Sequence, residues 1–500
     1  MSIASEIQIL SNNKIDIKAA IESKNPSVMP TGDMSQWSTS IGSINGNGIP
    51  KTIENGVLKN GVTSWTLPSG ITEVFKYACI YAQYNNINLI EINGYENITH
   101  VGDYGMSHCF DGCTSLNQEF DFSKVITAGN SAFNYCWNGC INQNKKIDFS
   151  NLKTIGSYCF DRAFFNQKTN RMFDFKNLET AGEYAFRYAF AINTYDSTYR
   201  VTITNFEKLT SVGRYCFQST FHYTNPNPIQ FLALESITTQ QAFDSAWDSD
   251  VTARDLIWHP FPKLKTINST SCFSSAFRYS RAKAIIFDSL ETVGATGNNY
   301  ATFSRALEYA LLKGAGFVFP ALQTVGSTSA NNYSHFSTFA QDSNNSVILQ
   351  CPELTTINSY SSTANRGQFA SCGAIKIYMP KLTAMNGYPQ YVFNGSTTIQ
   401  ELHLGIENQT TIQSLNGYNS KFGASNATIY FDLVNHITVD ETVYDRYGNG
   451  CDYDNEYFAW KNNDTIIYTK EQWTPAVGDV TYTKSEDSYV STIQTITEVA

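Results

Sequence analysis

The feature of this sequence that most restricts its fold is a repeat. The stretch IDFSNLKTIGSYCFDRAFF, residues 147–165, returns in modified form as FDFSKVITAGNSAFNYCW from Phe120, FDFKNLETAGEYAFRYAF from Phe173 and IIFDSLETVG from Ile285. Aligned copies recur at about 26 to 32 residues. A period of that length is typical of a solenoid, in which each unit buries its apolar face only against its neighbours.

Each copy of the repeat divides into the same parts. The alternating I-D-F or F-D-F stretch predicts a short strand. A leucine follows, then a second apolar residue, and then a position that is nearly always glycine or asparagine. That position holds Gly129, Gly156, Gly182, Gly213, Asn268, Gly294, Gly326, Asn358 and Asn386. Because Gly and Asn most readily adopt left-handed backbone angles, we expect a turn with such angles there.

The remainder of each copy assigns most of the cysteines. It follows roughly the pattern small–aromatic–polar–polar–small–large apolar, and nine of the eleven cysteines stand where other copies have a small or apolar residue. We expect buried, compact thiols there rather than disulfides, metal ligands or nucleophiles. One predicted column contains Cys109, Cys159, Cys216 and Cys272 with Ala132 and Ala185, and a second contains Cys113, Cys136 and Cys372 with Ala163 and Ala189. The repeat assigns no role to Cys140 and Cys451.

Composition excludes several classes of partner. The formal net charge is -10, and no Lys/Arg cluster is visible, so we expect no nucleic-acid binding. No apolar run is long enough for a membrane span, so no membrane insertion is expected. The first residues, MSIASEIQILSNNKIDIK, do not read as a signal peptide.

The repeat motif resembles that of a known family. The stretches IGSYCFDRAF, VGRYCFQSTF and VGDYGMSHCFDGCTSL resemble the BspA-like leucine-rich repeat over roughly residues 67–404. The resemblance implies a right-handed leucine-rich-repeat solenoid with a parallel sheet, short helical or irregular return segments, and roles in adhesion and recognition. The fold class expected is a β-rich α/β solenoid with an N-terminal helix and a small C-terminal β-module.

The N-terminal segment carries a second resemblance. IASEIQILSNNKIDIKAAIESKNPSVMPTG looks like the N-terminal segment of many bacteriophage tail and virion-fibre proteins. An apolar seam at heptad spacing predicts an amphipathic helix. The seam consists of Ile3, Ile7, Leu10, Lys14, Ile17 and Ile21. This helix would either cap the first repeat or dock and oligomerise the protein, with a trimer as one outcome.

These patterns define three expected segments: a helical docking segment at 1–50, the solenoid at 51–427 and a C-terminal β-module at 428–500. The last is predicted because the repeat stops near Thr428 and alternating stretches such as ATIYFDLVNHITVD replace it.

The sequence contains no convincing catalytic motif. No P-loop, GxSxG or HExxH is present, and no cofactor or metal site is predicted. His222, His259 and His335 are expected at the surface. The acid pair Asp248/Asp250 could serve glycoside hydrolysis only if two carboxyl groups converged in a groove. We therefore expect a protein without enzymatic activity.

The insertions between repeats are the more informative candidates for binding. They are rich in Tyr, Asn, Ser and Arg, and equivalent loops of a solenoid gather on one edge. The candidate binding residues are Tyr195, Tyr199, Tyr223, Asn225, Trp247, Arg254, Tyr279 and Tyr333. The equally simple interpretation is that these loops only keep a long edge soluble. Tyr104, Tyr158, Tyr184 and Tyr215 recur in register and are assigned to the scaffold.

Three functions remain open from the sequence. The first is a structural and recognition protein of a bacteriophage particle, in the tail, baseplate or head fibre, whose loops contact other virion proteins or a host-surface glycan or protein. The second is a bacterial cell-surface adhesin of the BspA type, and the third is a polysaccharide-degrading tailspike. The expected location is accordingly the virion, with the bacterial cell surface as the alternative.

Overall fold

The structure of the protein is a computed structural model. It describes residues 52–54, 57–59, 61–67, 70–167, 170–193, 200–248, 256–294, 302–310, 316–327, 335–340, 347–360, 367–393, 395–396, 398–405, 428–431, 466–469, 479–484 and 491–496. Within these residues the chain forms a parallel β-solenoid, as the repeat predicts. The predicted N-terminal helix lies outside the described residues, which begin with a hairpin of β1 (Thr52–Glu54) and β2 (Val57–Lys59).

One side of the coil, here called the first wall, is built from the strand that opens each repeat. Ile147 pairs in parallel with Phe120 of the preceding coil and Phe173 of the following coil. Strand alternation buries Phe173 and exposes Met172. The first-wall strands are β3 (Ser64–Thr66), β5 (Glu91–Asn93), β7 (Phe120–Asp121), β9 (Ile147–Asp148), β11 (Arg171–Asp174), β13 (Arg200–Ile203), β15 (Asn225–Pro226), β17 (Ile257–Trp258), β19 (Ala284–Ile286), β21 (Gly316–Val318), β23 (Ile348–Gln350), β25 (Lys376–Met379) and β27 (Glu401–Leu404).

Side-chain amides continue the hydrogen bonding where the first wall is interrupted. Between β5 and β7, Gln118 Oε1 accepts from the Ile92 N–H at 2.7 Å, and Gln118 Nε2 donates to the Ile92 carbonyl at 3.0 Å. Asn227 does the same for Ile203, at 2.8 and 3.0 Å. Buried backbone groups therefore stay paired although the strand itself stops.

The second wall is formed by the short strand that follows the repeat leucine. Thr154 and Ile155 pair with Thr127 and Ala128 on one side, and each second-wall strand turns its apolar residue inward. Its strands are β4 (Glu73–Val74), β6 (His100–Val101), β8 (Thr127–Ala128), β10 (Thr154–Ile155), β12 (Thr180–Ala181), β14 (Ser211–Val212), β16 (Ser236–Ile237), β18 (Thr266–Ile267), β20 (Thr292–Val293), β22 (Thr324–Val325), β24 (Thr356–Ser359) and β26 (Ala384–Gly387). The sheet is broken once, between β14 and β16.

The third side, here called the turn wall, is a succession of turns rather than a helix. In the coil of residues 157–166, Ala163 N donates to the Phe160 carbonyl at 3.0 Å within the coil. Phe160 N instead donates to Ala185 O of the next coil at 2.7 Å. The only helix in the described part of the chain is the 3₁₀ turn Pro389–Tyr391. Of the two expected forms of return segment, helical and irregular, the described coils have the irregular one, and the α component of the fold class is absent from them.

Glycines at the repeat turn have a different role from the one predicted. Gly156, Gly182 and Gly213 do not adopt left-handed angles, which instead occur at Tyr158 (φ 57°) and Arg162 (φ 51°). A Cβ on Gly182 would lie 2.6 Å from backbone atoms of Gly156 and the residue after it. Gly156, Gly182 and Gly213 thus leave no room for a side chain, because successive coils approach each other closely there. Among the turn glycines named above, Gly326 alone has a positive φ.

Three ladders of aromatic rings fill the interior between the walls. Neighbouring rings lie 5.4 Å apart for Phe149 and Phe175, and 5.2 Å for Trp137 and Phe164. Offset stacks at this spacing contribute beyond the area they bury. The first ladder runs through Phe122, Phe149, Phe175, Phe206, Phe231, Phe261, Phe287 and Phe319, the second through Phe133, Phe160, Phe186, Phe217, Phe243, Phe273, Phe303, Phe336 and Phe369, and the third through Phe110, Trp137, Phe164, Phe190, Phe221, Trp247 and Phe277.

Trp247 was predicted as a binding residue, and this was wrong. It is 1% exposed and stacks on Phe277 at 5.3 Å. The polar stretch after it suggested a loop, but Trp247 itself holds the last large apolar position of its copy, the place of Trp137.

His335 was expected at the surface and is buried instead. It occupies the column of small residues. Its ring Nδ1 lies 2.8 Å from Thr302 Oγ1, and its backbone N–H donates to Gln368 Oε1 at 3.0 Å. Burial lowers the pKa of His335 to about 4, so the ring is neutral at pH 7. A polar ladder therefore replaces Ala and Cys in these coils.

Among the described residues, the nine cysteines expected to be buried thiols are buried and form no disulfide with one another, and the same is true of Cys140, to which the repeat assigned no role; two of the nine were assigned to the wrong column. The Cys109 carbonyl accepts a hydrogen bond from Gln83 N of the preceding coil, and the Ala163 carbonyl accepts the equivalent bond from Trp137 N. Cys109 therefore belongs to the second column, with Ala163. Cys113 forms a third column with Cys140, and each thiol donates to a backbone carbonyl at 3.0 Å. Cys140 therefore has a packing role. Cys451 lies outside the described residues.

Beyond β27 the first wall continues through parallel strands β28 (Thr428–Phe431) and β29 (Ile466–Thr469). Antiparallel strands β30 (Asp479–Lys484) and β31 (Ser491–Ile496) follow. Strands thus occur after Thr428, as the alternating sequence predicts, and they extend a sheet of the solenoid.

Candidate functional site

Two rows of side chains stand on the outer surface of the turn wall over its first coils. They occupy the positions with left-handed backbone angles, four residues apart in each coil. The residues between them in the chain, such as Cys159 and Phe160, are buried. The first row consists of Tyr77, Tyr104, Ser131, Tyr158, Tyr184 and Tyr215, and the second row consists of Tyr81, His108, Tyr135, Arg162 and Tyr188.

Rings of the first row stack on their neighbours along the solenoid axis. The centroid distances are 5.2 Å for Tyr77 and Tyr104, 4.7 Å for Tyr158 and Tyr184, and 4.8 Å for Tyr184 and Tyr215. Burial, with the neighbouring phenols, raises the pKa of Tyr184, so this hydroxyl stays protonated at neutral pH. A ring stacked on both faces presents its edge and its hydroxyl outward, and the row offers regularly spaced hydrogen-bonding groups.

The second row continues without interruption because a guanidinium takes the place of one ring. The ring of His108 lies 4.6 Å from Tyr81 and 4.6 Å from Tyr135. Arg162 then lies 5.6 Å from the ring centre of Tyr135 and 4.8 Å from that of Tyr188. Cation–π contacts of this kind hold a planar cation between two tyrosines.

A buried carboxylate anchors the cations of this surface. Asp161 is 3% exposed and accepts from Arg187 at 3.1 Å (Nε to Oδ1) and 2.7 Å (Nη2 to Oδ2). The hydrogen bond to Asp161 raises the pKa of Arg187, although burial opposes it. Arg187 in turn covers the ring of Tyr184 at 4.7 Å. The bidentate pair orients the guanidinium, so the surface is rigid.

Solvent reaches the N-terminal coils of this surface most easily. Tyr77 and Tyr81 are each 50% exposed and Tyr104 is 38% exposed, whereas Tyr158 and Tyr184 are partly covered. Rigid aromatic side chains that are polar at one end are well suited to recognition because little conformational entropy is lost on binding. The two rows are thus the best-formed candidate for a recognition surface in the described residues.

The structure describes four of the eight predicted binding residues: Tyr223, Asn225, Trp247 and Tyr279. Trp247 is in the core, Tyr223 is partly buried with its ring centre 3.9 Å from that of His222, and Tyr279 stacks on Tyr309 at 4.9 Å. Asn225 lies in β15. Tyr195, Tyr199, Arg254 and Tyr333 lie outside the described residues, as do the docking residues Ile3, Ile7, Leu10, Lys14, Ile17 and Ile21.

Sequence reasoning missed the second row. Its signal was present, since a long side chain recurs four residues after the first four tyrosines of the first row, as in Tyr77 and Tyr81 or Tyr184 and Tyr188. The mixture of Tyr, His and Arg hid the column, because only the structure shows that these planar groups stack. The first row was assigned to the scaffold, and it does recur in register as predicted.

The interrupted parts of the described frame fall at two different corners. Asn193 and Arg200 flank such a part where the turn wall meets the first wall, and Gly294 and Thr302 flank one where the second wall meets the turn wall. The insertions are therefore not all equivalent in their place along the coil.

The acid considered for hydrolysis is part of an ion pair. Asp248 is buried and receives two hydrogen bonds at 3.0 Å from Arg278, which also approaches Glu308 at 3.4 Å. Burial opposes ionisation, but hydrogen bonds from His222 and Arg278 lower the pKa of Asp248. A general acid of a glycosidase needs the opposite shift. Asp250 lies outside the described residues.

No group of three or more His, Cys, Asp or Glu side chains in the described residues is arranged to hold a metal ion. No helix in that part of the chain has the length and apolarity to cross a bilayer.

Comparisons with known proteins give three similar solved structures. A leucine-rich repeat protein from Bacteroides ovatus is 14% identical, with a TM-score of 0.28 over 68% of this chain and 78% of the other. A leucine-rich repeat protein from Eubacterium ventriosum is 15% identical, with a TM-score of 0.29 over 79% and 95%. The pneumococcal vaccine antigen PcpA is 14% identical, with a TM-score of 0.31 over 83% and 95%. No family model and no curated protein matches the chain.

Proposed function

We propose that this protein is a non-enzymatic recognition protein of a bacteriophage particle, and that the two rows of the turn wall form its contact surface. The observation that carries the proposal is the stacked, partly exposed tyrosines on a frame held by hydrogen bonds between coils. The partner is either a host cell-surface molecule or a neighbouring virion protein.

Rigidity supports binding rather than a purely structural role for these rows. Tyr104 N donates to Asn130 O at 2.8 Å, and Tyr158 N donates to Glu183 O at 2.8 Å. The backbone of each of these tyrosines is therefore held by a hydrogen bond to the next coil. A scaffold needs apolar residues inside but no aromatic residues outside, and exposed tyrosines on a preorganised surface lose little entropy on binding.

Placement on a virion rests on the N-terminal segment. The resemblance of residues 3–32 to phage tail and fibre proteins suggests a docking or trimerising helix. The alternative is a bacterial cell-surface adhesin of the BspA type, which the repeat motif alone would equally suit. Gold-antibody labelling of particles from a lysate distinguishes the two. Label at a fixed point on particles supports the virion; label on cell envelopes with bare particles supports the adhesin.

The contact surface is tested with variants that remove rings but tolerate the backbone. Asn accepts left-handed angles, so Tyr81→Asn and Tyr104→Asn should keep the fold. Met172→Ala, on the exposed face of the first wall, is the matched control. We expect about a tenfold or larger loss of binding to source-culture cells or particles for the combined tyrosine variant only. Equal binding by all variants would remove the turn wall as the contact surface.

A polysaccharide-degrading tailspike remains the lesser candidate. The ion pair of Asp248 with Arg278 argues against that residue as a general acid. Release of reducing ends from host capsule by the purified protein, lost on mutation of one acidic cluster, would establish this activity.

A further inference from the structure

The first row lacks a single ring. Ser131 stands in the row between Tyr104 and Tyr158, as shown by the hydrogen bonds of Tyr104 N to Asn130 O and of Ser131 N to Ser157 O, both 2.8 Å. Elsewhere in the row each coil step separates ring centres by 4.7–5.2 Å. Two steps therefore separate the facing rings of Tyr104 and Tyr158 by roughly 10 Å, which leaves one ring position vacant between them.

The second row shows what such a vacancy accepts. There, Tyr135 and Tyr188 are likewise two coils apart, and the Arg162 guanidinium lies between them at 5.6 and 4.8 Å from their ring centres. The same frame thus already holds one planar group between two tyrosines of alternate coils. The first row has the matching spacing but carries only a short side chain at that step.

From this geometry we propose that the slot between Tyr104 and Tyr158 binds one planar aromatic side chain presented by a partner protein. A six-membered ring at its centre would lie about 5 Å from each tyrosine, the stacking distance of the row itself. Ser131 forms the floor and is 6% exposed, so the guest would stack on the two rings and make little contact with the Ser131 hydroxyl.

The charges around the slot favour a neutral guest. Asp103, which precedes Tyr104, lies 4.0 Å from Lys76, and Asp161 is paired with Arg187 at 2.7 Å. Each of these two carboxylates therefore has a cation beside it, and Asp161 also lies 3.4 Å from Arg162, so neither carboxylate attracts a cationic ligand. Tyrosine occupies this row at the other five positions from Tyr77 to Tyr215, so a phenol-sized ring is the group whose dimensions the row matches.

This inference rests on the proposed role of the turn wall in recognition and deepens it. The probe is N-acetyl-L-tyrosinamide, whose binding to the full chain is followed by saturation-transfer NMR. Ser131→Tyr fills the slot with the residue that the row carries elsewhere, at a backbone angle that tyrosine already adopts in this row. Ser131→Ala leaves the slot open. We expect binding by the native protein and Ser131→Ala, and about a tenfold or larger loss for Ser131→Tyr.

Two further measurements keep the result interpretable. Tyr104→Asn removes one face of the slot and should also lose the probe, even if Ser131→Tyr folds poorly. N-acetyl-L-argininamide and methyl α-D-glucoside should bind at least about tenfold more weakly than the tyrosine probe. Undiminished probe binding by Ser131→Tyr, or tighter binding of either other probe, would overturn the slot. If the Tyr81→Asn/Tyr104→Asn pair still abolished binding to cells or particles, the proposed function would stand without it.

Discussion

Substitution of Gly213 by alanine tests the finding that close coil contact, rather than backbone angle, requires glycine at the repeat turn. A Cβ there would lie 2.4 Å from Glu183 N and 2.4 Å from Gly182 C, both backbone atoms that cannot move aside alone. Reaching an ordinary contact of about 3.4 Å requires the two coils to separate locally by roughly 1 Å.

The magnitude follows from the hydrogen bonds at that step. Gly213 N donates to Ala181 O at 2.8 Å and Tyr184 N to Arg214 O at 2.9 Å, and roughly 1 Å of separation would break both. Each contributes about 0.5–1.5 kcal/mol net, and the disturbed stacking adds to this. We expect Gly213→Ala to lower the free energy of unfolding by about 2–4 kcal/mol.

Gly294→Ala is the matched control because Gly294 holds the same repeat position without the contact. Its Cβ would meet Gly326 O at 3.4 Å as the nearest described atom. Alanine there should be neutral or stabilise by about 0.4–1 kcal/mol through the unfolded chain. Urea unfolding followed by circular dichroism gives both values, and hydrogen exchange at the Tyr184 and Tyr215 amides locates the loss. Two variants within about 0.5 kcal/mol of each other would refute the close-contact explanation.

The remaining predictions concern the core. Phe160→Ala should lower the free energy of unfolding by about 3–5 kcal/mol, because the ring is fully buried and stacks on Phe133 at 5.2 Å. Cys159→Ala should be nearly neutral, because alanine fills that column in other copies. Equal losses for the two variants in urea unfolding would contradict the packing account. Stability should fall by up to about 3 kcal/mol as the pH drops from about 6.5 to about 4, because His335 is protonated at a higher pH in the unfolded chain than in the folded one. His335→Gln should flatten this pH dependence in unfolding titrations. An unchanged slope would argue against His335 as its source. The ten described thiols should resist a thiol reagent in the native protein and react in urea, since burial raises the pKa of, for example, Cys79 to about 12. Fast labelling of any of these ten without denaturant would show that the coils open.

Prediction from sequence was accurate where a residue's role depends only on its place in the repeat. The leucine and the aromatic residue recur at fixed places in the repeat, and Leu152 and Phe160, which occupy those places, are fully buried. Prediction failed where the role depends on the neighbouring coil. Gly182 was read as a left-handed turn, but its Cβ would meet the backbone of the coil before it. Trp247 was interpreted as part of the polar loop that follows it, although its equivalent in another copy of the repeat is the buried Trp137.

The sequence by itself determined the solenoid, its strands and the burial of its cysteines, because a periodic chain repeats one local solution and every copy reports the same pattern. Only the tertiary structure decided which side chains meet across coils. The stacks of Tyr81 on His108 and of Arg162 on Tyr135 and Tyr188 join residues 26 or 27 positions apart, and no local pattern encodes the distance between them. The vacancy at Ser131 has the same origin: a serine is unremarked in the sequence, and becomes a slot only because tyrosines of the two adjacent coils face each other across it.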